Sequence, residues 1–234
     1  MKNLEILKLS AVCLDNLTMS DVRMFELSGS RSIVPKLEAI GKTVIHPKMD
    51  PLKNDFTDRN CFWLMLEKKG QLFGCVGARL EDIGDESPVS YWARTAERHY
   101  PESNLPRFDH VSPEMLKAIR GKVAYMGDLH FHANYRGTAW TNFVLRNLLL
   151  LLHINIQINW RVDCTYAFLR RKDYLNAKAE QYHYMRNMPG YQRWDEPPEG
   201  RSKTESLLTM PRKEFEHLVA YLNQNPEELA WKPL

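Results

Sequence analysis

The fold is decided by the stretch Asp128-Leu-His-Phe-His-Ala-Asn-Tyr-Arg-Gly-Thr-Ala-Trp140. Val123–Ala133 has the pattern of a β-strand, and Asn134–Gly137 has the composition of a turn. Apolar residues then recur at helical spacing along Thr138–His153. The stretch therefore predicts a strand that passes through a short turn into a long helix.

The turn before this helix has the features of an anion-binding site. The first N–H groups of a helix have no partner within it, and the helix dipole places partial positive charge there. Small residues at Gly137 and Ala139 let a ligand come close to the backbone. A glycine before a helix more often serves only as a turn, so the surrounding elements decide what this feature means.

Those elements are predicted from the flanking sequence. Cys61–Leu66 and Leu72–Leu80 are apolar or alternating runs around a short polar turn, which indicates a β-hairpin. After the long helix, Arg161–Leu169 predicts a strand and Tyr174–Met185 a helix. The order strand, turn, helix, strand, helix favours two adjacent parallel strands in an α/β protein.

The rest of the chain completes one predicted domain over residues 1–234, because no internal repeat is present. Further elements are a strand at Leu4–Leu9, a helix at Thr18–Leu27, a loop at Ile45–Asp58, strands at Tyr191–Trp194 and Ser206–Met210, and a helix at Arg212–Asn223. The segment 81–122 is rich in Pro, Ser, Asp and aromatic residues without strong periodicity, and we expect it to be an insertion.

The central stretch resembles the motif of the GNAT superfamily of N-acetyltransferases, a strand ending in Gln/Arg-x-x-Gly-x-Gly/Ala before a helix. Asn134, Gly137 and Ala139 occupy its three marked positions, and Asn134 stands where Gln or Arg is usual. The hairpin and the following strand and helix are similar to the same superfamily, so the resemblance spans about Arg59 to Met210. It implies an α/β fold with a GNAT-like, mixed and strongly twisted central sheet flanked by helices.

The resemblance also implies an activity, the transfer of an acetyl group from acetyl-CoA to a primary amine by direct attack. The diphosphate of acetyl-CoA is then expected on Asn134, Tyr135, Arg136, Gly137, Thr138 and Ala139. The backbone of Phe131 and Ala133 is expected to hydrogen-bond the pantetheine arm. A tyrosine after the second strand is expected to protonate the leaving thiolate, with Tyr184 the first choice and Tyr182 the second. The acceptor amine is not defined, and a homodimer is left open.

An attacking amine also needs a proton acceptor, because only its neutral form is a nucleophile. Alternation along the strand places Asp128, His130 and His132 on one face and Leu129 and Phe131 on the other. His130 has the better intrinsic pKa for a base, and Asp128 serves only if burial raises its pKa, or orients the amine instead. Each of these side chains can equally make structural hydrogen bonds.

Two other functions fit parts of the sequence. A metal-dependent enzyme would use Asp128, His130 and His132 as ligands, but no partner His or Glu motif follows downstream. A non-catalytic acyl-CoA-binding regulatory domain would keep the turn at 134–139 and lack a working acid and base.

Composition excludes several other classes of protein. Lys and Arg outnumber Asp and Glu by only 32 to 29, and the basic residues form no block, which argues against nucleic-acid binding. The four cysteines are scattered without a C-x-x-C pair, and charged residues interrupt the apolar N-terminus, so a reduced, cytoplasmic protein is expected. Polar residues within Phe143–Ile158 argue against a membrane span, and the run predicts a buried helix leading into a strand-like segment.

Overall fold

The computed structural model describes residues 3–28, 31–101, 105–108, 113–176, 178–199 and 201–230. Its helices are α1 (Asn3–Met19), α2 (Val34–Ala39), α3 (Pro88–His99), α4 (Pro113–Lys117), α5 (Ala139–Trp160), α6 (Arg171–Leu175), α7 (Lys178–Gln181) and α8 (Arg212–Gln224). Its strands are β1 (Arg23–Ser28), β2 (Cys61–Lys68), β3 (Gln71–Gly84), β4 (Arg107–Phe108), β5 (Gly121–Phe131), β6 (Cys164–Arg170), β7 (Arg186–Arg193) and β8 (Thr204–Pro211). Short 3₁₀ turns lie at Arg31–Ile33, Ala133–Tyr135 and Pro226–Leu229.

All eight strands form one sheet in the order β1-β2-β3-β5-β6-β8-β7-β4. Neighbours are antiparallel except β5 and β6, which are parallel and are joined through α5. A crossover helix is what a parallel pair requires. The predicted mixed α/β sheet flanked by helices is confirmed.

Each face of the sheet carries its own apolar core. On one face α5 is buried along nearly its whole length against the strands, α1 packs on α5, and α8 packs on α1 and β8. Asn16 of α1 donates to Asn147 of α5 at 3.0 Å, so the buried amides of the two helices are paired. The other face packs aromatic residues such as Trp63, Tyr125 and Tyr166 against α2 and α3.

The segment between α2 and β2, residues 40–60, crosses this second face and forms one wall of the functional site. Its buried residue Met49 lies directly over Gly77 of β3, where an added Cβ would be 2.5 Å from the Met49 Cε atom. Gly77 therefore makes room for the Met49 side chain, and an added side chain there would force the end of the Met49 side chain to move.

Two predictions near the N-terminus are wrong. The expected strand Leu4–Leu9 is part of α1, because Ile6, Leu9, Cys13 and Leu17 are buried at the spacing of a helix face. The expected helix Thr18–Leu27 is the end of α1, a turn and then β1, which pairs with β2 over six residues. Pairing at the sheet edge overrides the local helical pattern there.

Two predictions after β5 are also wrong. The strand-like end of Phe143–Ile158 is helical, since α5 continues to Trp160. The single helix expected over Tyr174–Met185 is replaced by two short helices, α6 and α7, and Tyr182 and Tyr184 lie beyond both. Residue 177, between these helices, lies outside the described residues.

The other predicted elements agree with the structure. The hairpin is β2 and β3, the decisive strand is β5, and β7 pairs with β8 before α8. The expected insertion 81–122 contains the end of β3, α3, β4 and α4, while its residues 102–104 and 109–112 lie outside the described part. No helix within the described ranges is long and apolar enough to cross a membrane.

Candidate active site

The parallel strands β5 and β6 are paired over only three residues each. Val123–Tyr125 pairs with Cys164–Tyr166, and beyond these residues β5 is bonded only to β3 and β6 only to β8. The two strands therefore leave a gap that opens into a cleft of about 1310 Å³. The inner edges of Met126–Phe131 and Ala167–Arg170 line this gap.

A bulge in β5 lies at the start of the gap. Asp128 has a φ of 57°, and the register between β3 and β5 shifts between Cys75 and Gly77. As a result Met126 and Leu129, three residues apart, both pack in the core on the α5 face. Asp128 and His130 instead both contact the segment 40–60. These two residues therefore lie on the same face of β5, as the alternation predicts.

The turn Asn134–Ala139 leads from the end of β5 into α5 beside the cleft. Gly137 has a φ of 77° and nothing within 4 Å of an added Cβ, so the chain reverses there in open space. The Thr138 hydroxyl caps the helix by accepting from the Thr141 amide at 3.0 Å. Within the described chain, the amides of Gly137, Thr138 and Ala139 have no acceptor, which leaves them available to an anion.

Aromatic packing fixes the first half of this turn. Ala133, Asn134 and Tyr135 form a 3₁₀ turn in which the Asn134 amide donates to the His132 side chain at 3.3 Å. The Tyr135 ring lies 4.6 Å from the Phe73 ring, centroid to centroid. The shape of the turn is thus set by the underlying sheet.

Arg136 folds back over the end of β5. Its Nε donates to the Phe131 carbonyl at 2.6 Å, and its Nη2 lies beside the His130 ring, 3.2 Å from Nε2 and 3.5 Å from Nδ1. Arg136 therefore bonds to the backbone of Phe131, one of the two residues whose backbone the sequence resemblance assigns to the pantetheine arm.

The carboxylate of Asp128 is buried and fully engaged. Its Oδ1 lies 2.7 Å from Nζ of Lys42, and both oxygens accept from the backbone amide of His46, at 3.1 and 3.0 Å. Burial raises the pKa of Asp128, although Lys42 and the amide oppose the shift. These contacts tie the segment 42–46 to the bulge.

His130 is half-buried and oriented by the backbone. Its Nε2 lies 3.0 Å from the Ile40 carbonyl, which can only accept, so Nε2 carries the proton and Nδ1, which Arg136 approaches, is the acceptor. Burial lowers the pKa of His130, which keeps the ring neutral near pH 7.

The third polar residue of this strand end, His132, is engaged in the turn at Asn134. In the part of the chain that the structure describes, no three His, Cys, Asp or Glu side chains come close enough together to hold a metal ion. The three residues considered as metal ligands have other partners instead: Asp128 binds Lys42, His130 binds the Ile40 carbonyl, and His132 accepts from the Asn134 amide.

The two candidate tyrosines both line the cleft. The Tyr184 hydroxyl donates to Sδ of Met126 at 3.2 Å, and its ring lies 5.1 Å from His153. The Tyr182 carbonyl lies 3.3 Å from His153 Nε2. Burial raises the pKa of both hydroxyls, so both hold their protons near neutral pH and are available as proton donors.

The sequence reasoning missed the other end of the cleft. We call it the inner end and define it by His46, Tyr100, Tyr125, Phe168, Arg201 and Glu205. These residues come from the segment 40–60, the end of α3, β5, β6, the β7–β8 connection and β8. No spacing in the sequence links them, because only the folded sheet brings them together.

No family model and no curated protein matches this sequence. Solved structures do match in fold. The spermidine/spermine N-acetyltransferase SpeG from Vibrio cholerae has 9% identity and a TM-score of 0.45, with 85% of this chain and 97% of that one covered. The Campylobacter jejuni N-acetyltransferase PseH, in complex with acetyl coenzyme A, has 10% identity and a TM-score of 0.39, with 81% and 99% covered. The ribosomal L7/L12 alpha-N-protein acetyltransferase RimL has 10% identity and a TM-score of 0.39, with 80% and 92% covered.

These matched proteins are acetyltransferases.

Proposed function

We propose that this chain is an N-acetyltransferase that transfers the acetyl group of acetyl-CoA to a primary amine. The observation that carries the proposal is the gap between the parallel strands β5 and β6, with the turn Asn134–Ala139 beside it. A strand with one free edge and a helix with free N–H groups together match a ligand that has an amide-containing arm and a diphosphate.

The diphosphate lies on the amides of Gly137, Thr138 and Ala139 in this proposal. The pantetheine arm runs along the free edge of β5 and bonds to the backbone near Phe131 and Ala133. Arg136 then exchanges the Phe131 carbonyl for the diphosphate, because its side chain is long enough to serve either. Lys178, which lines the cleft beside Asn142, adds a second positive charge on this side.

The reaction is a direct displacement at the thioester carbon. The neutral amine attacks that carbon, the new C–N bond forms, and the C–S bond breaks. The amine proton passes to Nδ1 of His130, directly or through water, and the leaving sulfur is stabilised and protonated through the hydroxyl of Tyr184, with Tyr182 second. Asp128 acts as a positioning residue, since its oxygens are taken by Lys42 and the His46 amide.

Calorimetry with acetyl-CoA and thiol release with a panel of primary amines test this function. Binding in a 1:1 ratio together with amine-dependent thiol release supports it. Binding with no thiol release from any amine favours the non-catalytic acyl-CoA-binding domain, and no binding contradicts both. The predicted cytoplasmic location and the homodimer belong to the same proposal, and cell fractionation and sedimentation test them.

A further inference from the structure

Two hydrogen-bond donors face each other at the inner end of the cleft. Nη1 of Arg201 contacts Nε2 of His46 within hydrogen-bonding distance, and the Tyr100 hydroxyl lies 3.4 Å from the same nitrogen. Whether this contact is a hydrogen bond depends on where His46 carries its proton.

The backbone settles the position of that proton. The amide of Lys48 donates to Nδ1 of His46 at 3.0 Å, so Nδ1 is an acceptor and the proton is on Nε2. Burial, followed by the nearby Arg201, holds the pKa of His46 well below its usual range, so the ring is neutral. Since Arg201 can only donate, the contact between Arg201 and His46 joins two N–H groups with no acceptor between them.

Arg201 has a further donor without a partner. Its Nη2 bonds to Gln192 at 3.0 Å and to Glu205, but its buried Nε–H has no acceptor among the described residues. The guanidinium carbon lies 5.8 Å from the ring centroids of both Phe168 and Trp194. Aromatic rings therefore hold in place a guanidinium whose hydrogen bonds are incomplete.

The charges around the inner end do not balance. The buried ion pairs that surround His46 contain four cations, Lys42, Lys48, Arg79 and Arg201, against three carboxylates, Glu81, Asp128 and Glu205. Burial lowers the pKa of both His46 and His99, so neither histidine adds charge near neutral pH. Among the described residues, Lys42 is matched by Asp128 and Arg201 by Glu205, so the positive charge left over belongs to Lys48 and Arg79, which share Glu81. Lys48 lines a small pocket together with His46, Tyr100 and Arg201, so a monoanion at the inner end would lie close to this surplus charge.

We infer that the acceptor carries a carboxylate that binds at the inner end of the cleft between His46, Arg201 and Tyr100, which makes it an amine of the amino-acid type. An oxygen there accepts from Nε2 of His46 and from Arg201 at once, and turns the contact between two donors into two hydrogen bonds. The substrate class follows from the proposed acetyl transfer and rests on it.

The same geometry disfavours polyamines. Glu205, the carboxylate in the definition of the inner end, is already paired with Arg201, and the neighbouring Asp128 is paired with Lys42. A second ammonium group on the acceptor would meet the surplus positive charge.

Matched acceptors test the inference. The panel contains the common α-amino acids, the carboxamide of each, and spermidine, assayed by thiol release from acetyl-CoA. Each carboxamide keeps the shape of its acid and has the less basic amine, so free-base chemistry near pH 7 favours the amide. We expect kcat/KM of at least one acid to exceed that of its amide by roughly 10- to 100-fold, as for hydrogen bonds to a charged group.

Variants of Arg201 and His46 test whether these residues cause the preference for the acid over its carboxamide. The double variant Arg201→Gln/Glu205→Gln removes both members of a buried ion pair together, so neither charge is left alone. We expect it to raise KM for the acid toward that of the amide, with acetyl-CoA affinity unchanged as the check of folding. His46→Phe removes the second hydrogen-bond donor and is expected to reduce the ratio of kcat/KM for the acid to kcat/KM for its amide. Arg94→Gln, which breaks an exposed pair with Glu86, is the control and retains the preference.

The outcomes separate this inference from the proposed function. Equal use of acids and amides, or better use of spermidine, overturns the carboxylate site while acetyl transfer stands. If no amine releases thiol, the proposed transfer fails, and a second measurement decides the site. That measurement is the thermal shift of the protein with N-acetylated amino acids against their amides, where equal or absent shifts overturn the inference.

Discussion

Tyr125 of β5 and Tyr166 of β6 are the last residues paired between the two parallel strands, and their ring centroids lie 5.4 Å apart. The Tyr166 hydroxyl donates to the buried Glu81 and accepts from Nε1 of Trp92 at 3.0 Å. This buried network closes one end of the parallel pair. Beyond it the strands separate, so the cleft begins where the aromatic pair ends.

The proposed diphosphate site predicts that Gly137→Asp abolishes tight acetyl-CoA binding. The change adds a negative charge where the diphosphate lies and a side chain at a φ of 77°. We expect calorimetry to show a loss of roughly 10-fold or more in affinity, the scale of one lost charge-assisted contact.

Gly70→Asp is the matched control for that variant. Gly70 has a φ of 78°, also with nothing within 4 Å of an added Cβ, but it lies in the β2–β3 turn. The backbone strain and the added charge are therefore equal in the two variants. Equal acetyl-CoA affinities would place the diphosphate elsewhere.

The leaving-group role predicts that one tyrosine variant loses turnover. Replacing the true donor with Phe removes the hydroxyl that stabilises the sulfur, and kcat should fall roughly 10²-fold with acetyl-CoA affinity retained. Tyr184→Phe is the first candidate and Tyr182→Phe the second. Tyr221→Phe, on the exposed side of α8, reports the effect of a lost hydroxyl outside the cleft. Turnover at the wild-type rate in both cleft variants removes this role from both residues.

How much of this site can be predicted from the sequence depends on how far apart its residues lie along the chain. The turn and α5 are contiguous with β5, and local spacing from Asn134 to Ala139 predicts them. The hairpin and the β7–β8 pair are also local, because neighbouring runs with a turn between them pair with each other. Local sequence pattern is therefore enough to predict the proposed coenzyme-binding side.

The inner end of the cleft shows why the other part of the site cannot be predicted from the sequence. His46 and Arg201 are 155 residues apart, and their contact exists only because β5, β6 and β8 lie side by side. Asp128 looked like a candidate base, but its partner Lys42 comes from a segment whose path no periodicity reveals. At the N-terminus, the alternation of Leu4–Leu9 predicts a strand, but these residues are helical, because the buried face of α1 packs on α5.

The proposed base predicts how activity depends on pH. Since burial lowers the pKa of His130, kcat/KM of the wild type, calculated for the neutral form of the amine, should be constant near pH 7 and fall only at a pH below 6.5, where the ring protonates. His130→Ala should lose this acidic limb together with most of the rate. Rates measured with one amine across pH 5 to 8, roughly the range in which histidine titrates, check this.

Asp128→Asn should behave differently, because Asp128 holds the segment 42–46. The variant leaves Lys42 buried without a counter-charge, and the free energy of unfolding should fall by about 3–5 kcal/mol. Its kcat/KM should fall while the acidic limb remains. Lys42→Met/Asp128→Asn should recover part of the stability. An acidic limb lost from Asp128→Asn and kept in His130→Ala would reverse the two roles, and unchanged profiles in both would exclude this face of β5 from proton transfer.

His153 predicts a dependence of stability on pH that does not involve the reaction. It is fully buried on α5, with Nε2 3.3 Å from the Tyr182 carbonyl and Nδ1 3.1 Å from the Thr165 hydroxyl. Burial lowers its pKa from 6.5 to about 3. Between these values the unfolded chain binds a proton that the folded chain does not. This contribution to stability is complete above about pH 6.5 and is lost as pH falls toward 3, at up to about 1.4 kcal/mol per pH unit.

Urea unfolding at several pH values below 6.5 measures this slope. His153→Gln removes the titrating group, so its free energy of unfolding should fall less steeply with decreasing pH, by about one proton. Thr165→Val is the matched control, because it breaks the hydrogen bond to Nδ1 and keeps the buried ring. It should lower stability by about 1–3 kcal/mol at every pH and leave the slope as in the wild type. A wild-type slope in His153→Gln would mean that other groups carry the acid sensitivity of the fold.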